Sequence, residues 1–388
     1  MSAREAWIVA AVRSPIGRAN KGSLISLRPD DLAAAVVRGA LARVPALSPA
    51  EIEDVIVGCA QPAGESGYNV ARVTALLAGL SGAAGTTVNR YCASSLQAIR
   101  MAMHAIVAGE GDAFVCAGVE TVSRFAKGKS DGLPDTKNPR FATDATPRLP
   151  DMYLAMGETA ERVADREGIT RQEMDAFAAA SQERAVRAQQ EGIFAREIIP
   201  IALADGTTID RDDGPRPGTT AEKLAKLEPV FRPQGRITAG NACPLNDGAA
   251  AVVVMSSTRA RELGIAPLAR IVASAVSAID PEIMGLGPIE ATRRVLARAK
   301  MTIRDVDLVE INEAFAAQVI PSARAIGVRE DRLNVHGGAI ALGHPFGMTG
   351  ARIMTTLLNA LNHRGGSVGL ETMCVGGGQG MAMIVERI

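Results

Sequence analysis

Aromatic side chains are scarce in this chain: one Trp, three Tyr and eight Phe make up 3% of 388 residues, against 39 glycines and abundant alanine. Small residues in that proportion suit helices packed closely on sheets, as in layered α/β folds. Neither sign of charge is in excess, with 42 Lys plus Arg and 42 Asp plus Glu, so nothing favours nucleic acid or an anionic membrane as partner. Long apolar runs are missing too. The longest, AAAVVVM (249–255), is far short of the ~20 residues a membrane helix needs. The N-terminal stretch MSAREAWIVAAVRSPIG mixes acid with base and reaches Pro15 early, so it reads as a first strand and not as a targeting signal. A cytoplasmic protein is the expectation. The five cysteines (Cys59, Cys92, Cys116, Cys243, Cys374) are odd in number and contain no C-x-x-C pair, which argues against a disulfide framework or zinc site.

The length exceeds what one hydrophobic core usually supports, and apolar residues reach 47%, so two or more domains are expected. Strand-like runs alternate with helical ones: AWIVAAV (6–12), a helix near 30–43, DVIVG (54–58), a helix near 67–79, TTVN (86–89), a helix over 92–108 and DAFVCAG (112–118). That rhythm predicts a largely parallel sheet with helices on both faces. Ser48-Pro49-Ala50-Glu51 and Thr170-Arg171-Gln172-Glu173 are capping boxes that start helices. The rhythm breaks over 120–246, where Pro-, Gly- and Lys-rich loops (120–150, 204–220) flank two helices, 157–167 and 171–190, and returns at AAAVVVMS (249–256).

A faint internal repeat accompanies it. AWIVAAVRS (6–14) matches ARIVASAVS (269–277), VNRYCAS (88–94) matches LNVHGGA (333–339), and the last strand of each half carries a cysteine, Cys116 and Cys374. The division is therefore 1–119 plus 247–266 as one half, 120–246 as an insertion and 267–388 as the second half. Two such halves would meet at their strand ends, where α/β sheets bind ligands.

Cys92 follows a strand and opens an amphipathic helix. A thiol there feels the helix dipole and free N–H donors, which lowers its pKa and offers an oxyanion site; the plain alternative is an inert core cysteine. Cys59 and Cys116 end apolar strands and read as small buried hydrophobes. Of the four histidines, His344 lies between glycine and proline in GGAIALGHPFGMTG (337–350), as a loop hydrogen-bonder or a catalytic base. ETMCVGGGQGMAMIVE (371–386) is a strand, a glycine turn and a strand. No Lys-Ser/Thr follows, so it is no P-loop, and bare N–H groups beside Cys374 suit an oxyanion hole. Asn312 in EINEAFAAQ is either a helix N-cap or a polar group facing a site.

Taken in order, NRYCASSLQAI, TAGNACPLNDGAAAVVVMS, MGLGPIEA, NEAFAAQ, GGAIALGHPFGMTGAR and MCVGGGQGMAM resemble the thiolases, the acetyl-CoA acetyltransferases and 3-ketoacyl-CoA thiolases, essentially end to end. The resemblance implies an α/β fold of duplicated halves in five αβαβα layers, with an inserted loop domain that binds coenzyme A, in a homodimer or homotetramer. It makes Cys92 the acylated nucleophile, His344 its base and Cys374 the second thiol, which moves the α-carbon proton. Asn312 would hold a water that stabilises the enolate together with His344. The N–H groups of Cys92 and Gly376 would form a second oxyanion hole. Coenzyme A contacts map onto Arg216, Leu227, Ala242, Cys243, Ala314 and Phe315, and the acyl pocket onto Met156 and Met284. Acyl-CoA and CoA are then the partners, as substrates, with no metal and no redox cofactor. The implied reaction is ping-pong cleavage of a 3-ketoacyl-CoA, or its reverse, condensation of two acetyl-CoA.

Six positions depart from the common pattern. Cys243 and Pro244 stand where many members have serine and glycine, Ala155 precedes the pocket methionine where biosynthetic members have histidine, Glu158 replaces an apolar residue, and Phe346 and Met348 vary the loop after His344. They bear on acyl preference and leave the catalytic set whole. Two alternatives share the fold: a catalytically silent subunit of a β-oxidation assembly, and a condensing enzyme for carrier-protein thioesters, which would lack Cys374.

Overall fold

The computed structural model describes residues 4–141 and 149–388; of the polar loop over 120–150, positions 142–148 lie outside the described residues. The first half contains β1 (Ala6–Arg13), β2 (Gly17–Arg18), α1 (Pro29–Leu41), β3 (Asp54–Gly58), α2 (Val70–Leu77), β4 (Ala84–Val88), α3 (Ser94–Ala108) and β5 (Ala113–Thr121). The intervening segment holds α4 (Met156–Glu167), α5 (Arg171–Gln190), the two-residue strands β6 (Ile201–Ala202) and β7 (Thr208–Ile209), and α6 (Ala221–Leu224). Then follow β8 (Asn246–Ser256), α7 (Ser257–Glu262), β9 (Ala269–Ala278), α8 (Gly287–Ala299), β10 (Leu308–Ile311), α9 (Ala316–Ile326), α10 (Ala339–Leu342), α11 (Thr349–Arg364), β11 (Val368–Val375) and β12 (Gln379–Glu386). Both capping boxes form as read, although the first opens only a 3-10 turn, Pro49–Glu51.

One sheet runs β10-β11-β12-β9-β1-β8-β5-β3-β4, with β2 on the flank of β8. It is mixed where the sequence rhythm predicts a largely parallel one. β3 lies parallel to β4 and β5, and β10 to β11, but β8 and β12 return antiparallel within each half. Those returning strands come last in each half, and β8 arrives only after the intervening segment, so the βαβα rhythm ahead of them misses the reversal. Within the sheet the halves join where β1 meets β9, at the pairs Trp7 with Arg270 and Ile8 with Ala269.

The duplication is visible in the register. Val12 pairs with Ala251 and Ala275 with Ala382, so the aligned first strands bring matching partners. The cysteine equivalence fails the same test. Ala251 also pairs with Ala117, and Ala382 with Thr372, so Cys116 matches Glu371 and Cys374 matches Val119. Cys116, fully buried on β5, is packing; Cys374 sits on the opposite face of its sheet.

Packing makes five layers. α1 and α2 cover one outer face, α8 and α9 the other, and α3 and α11 fill the middle between the two half-sheets. α11 is buried almost all round, as a central helix must be. Its approach to α3 depends on Gly350, where a Cβ would lie 2.4 Å from the Leu96 nitrogen. Arg13 of β1, fully buried, pins the intervening segment through Asp212 (2.7 and 2.9 Å) and Glu197 (2.6 Å).

Candidate active site

The 3-10 turn Tyr91–Ala93 leads into α3 and carries Cys92. The helix starts two residues later than its periodicity suggests, because Ser94 Oγ accepts the Arg90 N–H (2.9 Å) and donates to the Tyr91 carbonyl (2.6 Å). Tyr91 is driven to φ +44°, a left-handed backbone costing roughly 1–2 kcal/mol for a side chain of this size. Its N–H is held by Asn89 Oδ1 at 2.8 Å.

Two sides of the molecule close on this turn. The turn Phe346–Met348, just past His344, packs against it, and so does β11. Burial pushes the Cys92 thiol up to about 12, while the N–H groups of Gly376 and of Cys92 itself act the other way. Both N–H groups therefore reach the sulfur, but desolvation outweighs the dipole-driven lowering expected from sequence.

His344 is 2% exposed. Gly343 takes φ +117°, and a Cβ there would lie 2.5 Å from Asn246, whose Oδ1 accepts the His344 N–H at 3.1 Å. That glycine serves the backbone path more than it opens room for substrate. Imidazole Nδ1 is 2.6 Å from Thr349 Oγ1, and that hydroxyl donates to the Pro345 carbonyl at 2.8 Å. With the hydroxyl proton committed, Nδ1 carries the ring hydrogen and Nε2 presents its lone pair. Nε2 lies 3.4 Å from Asn312 Nδ2. Burial first, then the charge of Arg352, lowers the imidazole to about 3. At neutral pH the site thus rests as thiol and neutral imidazole, a general-base arrangement and not a preformed ion pair.

One expected result follows. Alkylation of Cys92 by iodoacetamide, followed by mass spectrometry, will rise steadily from pH 7 to 10, because a raised thiol pKa leaves thiolate to form only at high pH. A plateau already present at pH 6 would contradict the neutral pair. A second concerns Thr349. Thr349→Val frees Nδ1 of its acceptor, and kcat should fall by up to about 10²-fold with KM little changed, whereas Thr349→Ser should restore most of the loss.

Asn312 directly follows β10, its N–H donating to the Thr372 carbonyl (3.1 Å) and its carbonyl accepting from Gln318 Nε2 (2.7 Å). α9 starts at Ala316 behind Phe315, so Asn312 is not its N-cap; of the two sequence readings, the one facing the site holds. Its Oδ1 is buried without a partner among the described residues. Cys374, fully buried near the end of β11, has its thiol raised well above the usual range by burial first, then by Cys92 and Cys243. Three sulfurs therefore share one electrostatic neighbourhood. Gly377 and Gly378, at φ +76° and +75°, turn the chain back into β12 beyond Gly376.

The remaining sequence-derived residues divide. Ala242, Met284, Ala314 and Phe315 share one apolar cluster with Cys374. Ala242 bridges Phe315, and the Cys243 N–H donates to the Ala314 carbonyl at 3.0 Å. Arg216 and Leu227 lie at the surface, Arg216 lining a cleft with Arg18, Gln182, Thr219 and Pro244. Met156 opens α4 at 37% exposure and stands outside that cluster. Sequence reasoning missed Thr349 and Gln318, although both lie inside quoted motifs; a hydroxyl five residues past the histidine was the available signal. It also missed Glu120, buried near the end of β5.

Residues 6–258 match the thiolase N-terminal domain and residues 265–387 the thiolase C-terminal domain. The chain is 47% identical over 401 residues to the 3-oxoadipyl-CoA/3-oxo-5,6-dehydrosuberyl-CoA thiolase of Escherichia coli K12, covering 99% of this chain and 100% of that one. It is 44% identical over 394 residues to a 3-ketoacyl-CoA thiolase of Shewanella oneidensis, with the same coverage. Among solved structures, the Bacillus anthracis acetyl-CoA acetyltransferase matches with a TM-score of 0.90 at 38% identity, over 99% of each chain. With both halves matched and its relatives aligned along their whole length, this chain belongs to the thiolase family.

Proposed function

We propose that this chain cleaves 3-ketoacyl-CoA with CoA, releasing acetyl-CoA, through an acyl group held on Cys92. The observation that carries the reading is the convergence of two backbone N–H groups, from Cys92 and Gly376, on a sulfur with a second buried thiol beside it. His344 Nε2 takes the Cys92 proton, and the thiolate adds to the 3-keto carbon, whose oxygen gains charge between those N–H groups. Collapse breaks the C2–C3 bond and leaves acyl-Cys92 with the enolate of acetyl-CoA. Protonated His344 and a water on Asn312 stabilise the enolate oxygen, and the Cys374 thiol gives its proton to the carbon. In the second half, CoA passes its thiol proton to the Cys374 thiolate and attacks acyl-Cys92; His344 then returns its proton to the departing Cys92 sulfur. The unpartnered Oδ1 of Asn312 suits the water role.

Coenzyme A would lie along the inserted segment, its pantetheine over the bridged segments Ala242–Cys243 and Ala314–Phe315 and its phosphates toward Arg216. Several relatives are named for 3-oxoadipyl-CoA or β-ketoadipyl-CoA, which favours an acyl part larger than that of acetoacetyl-CoA. The presence of Cys92, Asn312, His344 and Cys374 together argues against a silent subunit, and Cys374 against a carrier-protein condensing enzyme. The test is CoA-dependent release of acetyl-CoA from acetoacetyl-CoA, 3-oxoadipyl-CoA and longer 3-ketoacyl-CoAs, with intact-protein mass spectrometry for the acyl adduct. Absence of release from every one of them would sink the reading.

A further inference from the structure

Glu120, one residue before the end of β5, is 1% exposed. Its Oε2 accepts the N–H of Ala60 (2.9 Å) and of Gly347 (2.9 Å). Its Oε1 accepts the Gln61 N–H (3.2 Å) and faces the Cys59 thiol at 3.8 Å. No cation is among these partners. A buried carboxylate without a counter-ion costs several kcal/mol unless hydrogen bonds replace its water, so a residue that merely filled this volume would be apolar.

The bonds reach both halves of the molecule. Ala60 follows β3, and its carbonyl accepts Asn89 Nδ2 at 3.1 Å. Asn89 Oδ1 in turn accepts the Tyr91 N–H, one residue before Cys92. On the other side, Gly347 lies between Pro345, whose carbonyl takes the Thr349 hydroxyl, and Thr349, which takes the ring N–H of His344. A Cβ at Gly347 would lie 2.6 Å from the Val119 carbonyl oxygen, so this turn is seated directly on the end of β5. A continuous bonded path thus runs from the nucleophile's turn to the base's ring, with one carboxylate at its centre.

We propose that Glu120 is a positioning residue: by clamping the Ala60–Asn89 and Gly347 loops across the seam, it sets where Cys92 and His344 stand relative to each other. The proposal rests on the thiolase reading of the site. It makes Cys59 a neighbour of a working clamp as well as a packed thiol.

Glu120→Gln keeps the shape but removes the negative charge that both clamp N–H groups share, and it sets an amide donor against either the Gln61 N–H or those of Ala60 and Gly347. It should lower kcat for 3-ketoacyl-CoA cleavage about 10²-fold while KM for CoA stays within about twofold, since the clamp touches none of the coenzyme-facing loops. Asn89→Ala cuts the same path elsewhere and should cost about 10-fold, and the double variant should be no slower than Glu120→Gln alone, because both changes break one connection. Iodoacetamide alkylation of Cys92 should slow about 10-fold in each variant, since His344 no longer meets the thiol. That arm needs no substrate, so it stands even if the wild-type chain cleaves no 3-ketoacyl-CoA. Additive losses in the double variant, KM rising in step with the fall in kcat, or an unchanged alkylation rate in Asn89→Ala would overturn the proposal. If Glu120→Gln does not fold, Asn89→Ala carries the same test alone.

Discussion

Cys92→Ser is expected to abolish the acyl-enzyme and lower 3-ketoacyl-CoA thiolysis by at least about 10⁴-fold, the scale seen when a covalent nucleophile is removed. The size of the loss follows from the environment of the atom. A serine hydroxyl is several pKa units less acidic than a thiol to begin with, and burial raises the hydroxyl as it raises the thiol, so the imidazole that takes the Cys92 proton meets a far steeper barrier with serine. The two N–H groups that reach the sulfur remain in place, so the variant should still bind CoA esters. Intact-protein mass spectrometry after incubation with an acyl-CoA should show no adduct, while KM or competitive inhibition constants for CoA stay near wild type. An adduct of normal stoichiometry on the serine variant would move the nucleophile elsewhere, and Cys243, in the same neighbourhood, would be the first place to look.

Much of this site was legible along the chain, for a definite reason. Cys92, His344, Asn312, Cys374 and Gly376 sit in or beside short turns whose glycines, prolines and small residues mark them locally, and the strands ahead of them are legible from apolar runs. What could not be read depends on contacts between residues far apart in sequence. The Cys92 thiol lies at a helix entrance, which argues for a lowered pKa; it is raised because β11 and the turn after His344 cover it. The order of strands misses the antiparallel return of β8, since pairing partners such as Cys116 and Val252 are separated by the whole inserted segment, whereas the return of β12 is carried by the glycine turn read between its strands. Matching letters paired Cys116 with Cys374, but register makes Glu371 the equivalent of the first and Val119 the equivalent of the second. Glu120 fell at the start of the polar loop over 120–150; its place on β5 and its bonds to Ala60 and Gly347 reveal a link between halves. Asn312 shows the converse, a residue left open between cap and site until α9 was seen to start four residues later.

Cys374→Ser should separate the two chemical events that one thiol cannot perform together. Transfer of an acyl group from an acyl-CoA to Cys92 needs the nucleophile, its base and the N–H pair, all of which the variant keeps, and CoA can depart as a thiolate without a proton from Cys374, so the acyl adduct should form at a rate within about tenfold of wild type. Cleavage of a 3-ketoacyl-CoA needs in addition an acid beside the α-carbon, and loss of that group should cost about 10³- to 10⁴-fold. Burial, reinforced by Cys92 and Cys243, holds the Cys374 thiol well above its usual range, so at neutral pH it is protonated and ready to quench a carbanion. A serine in its place holds its proton more tightly still and returns it poorly from incoming CoA. Measuring adduct formation from acetyl-CoA alongside acetyl-CoA release from a 3-ketoacyl-CoA, on the same preparation, gives the ratio that decides the matter. If both rates fall together, Cys374 supports the fold of the site and not the proton; if neither falls, the proton travels by His344 alone, and the division of labour between the two sulfurs is wrong.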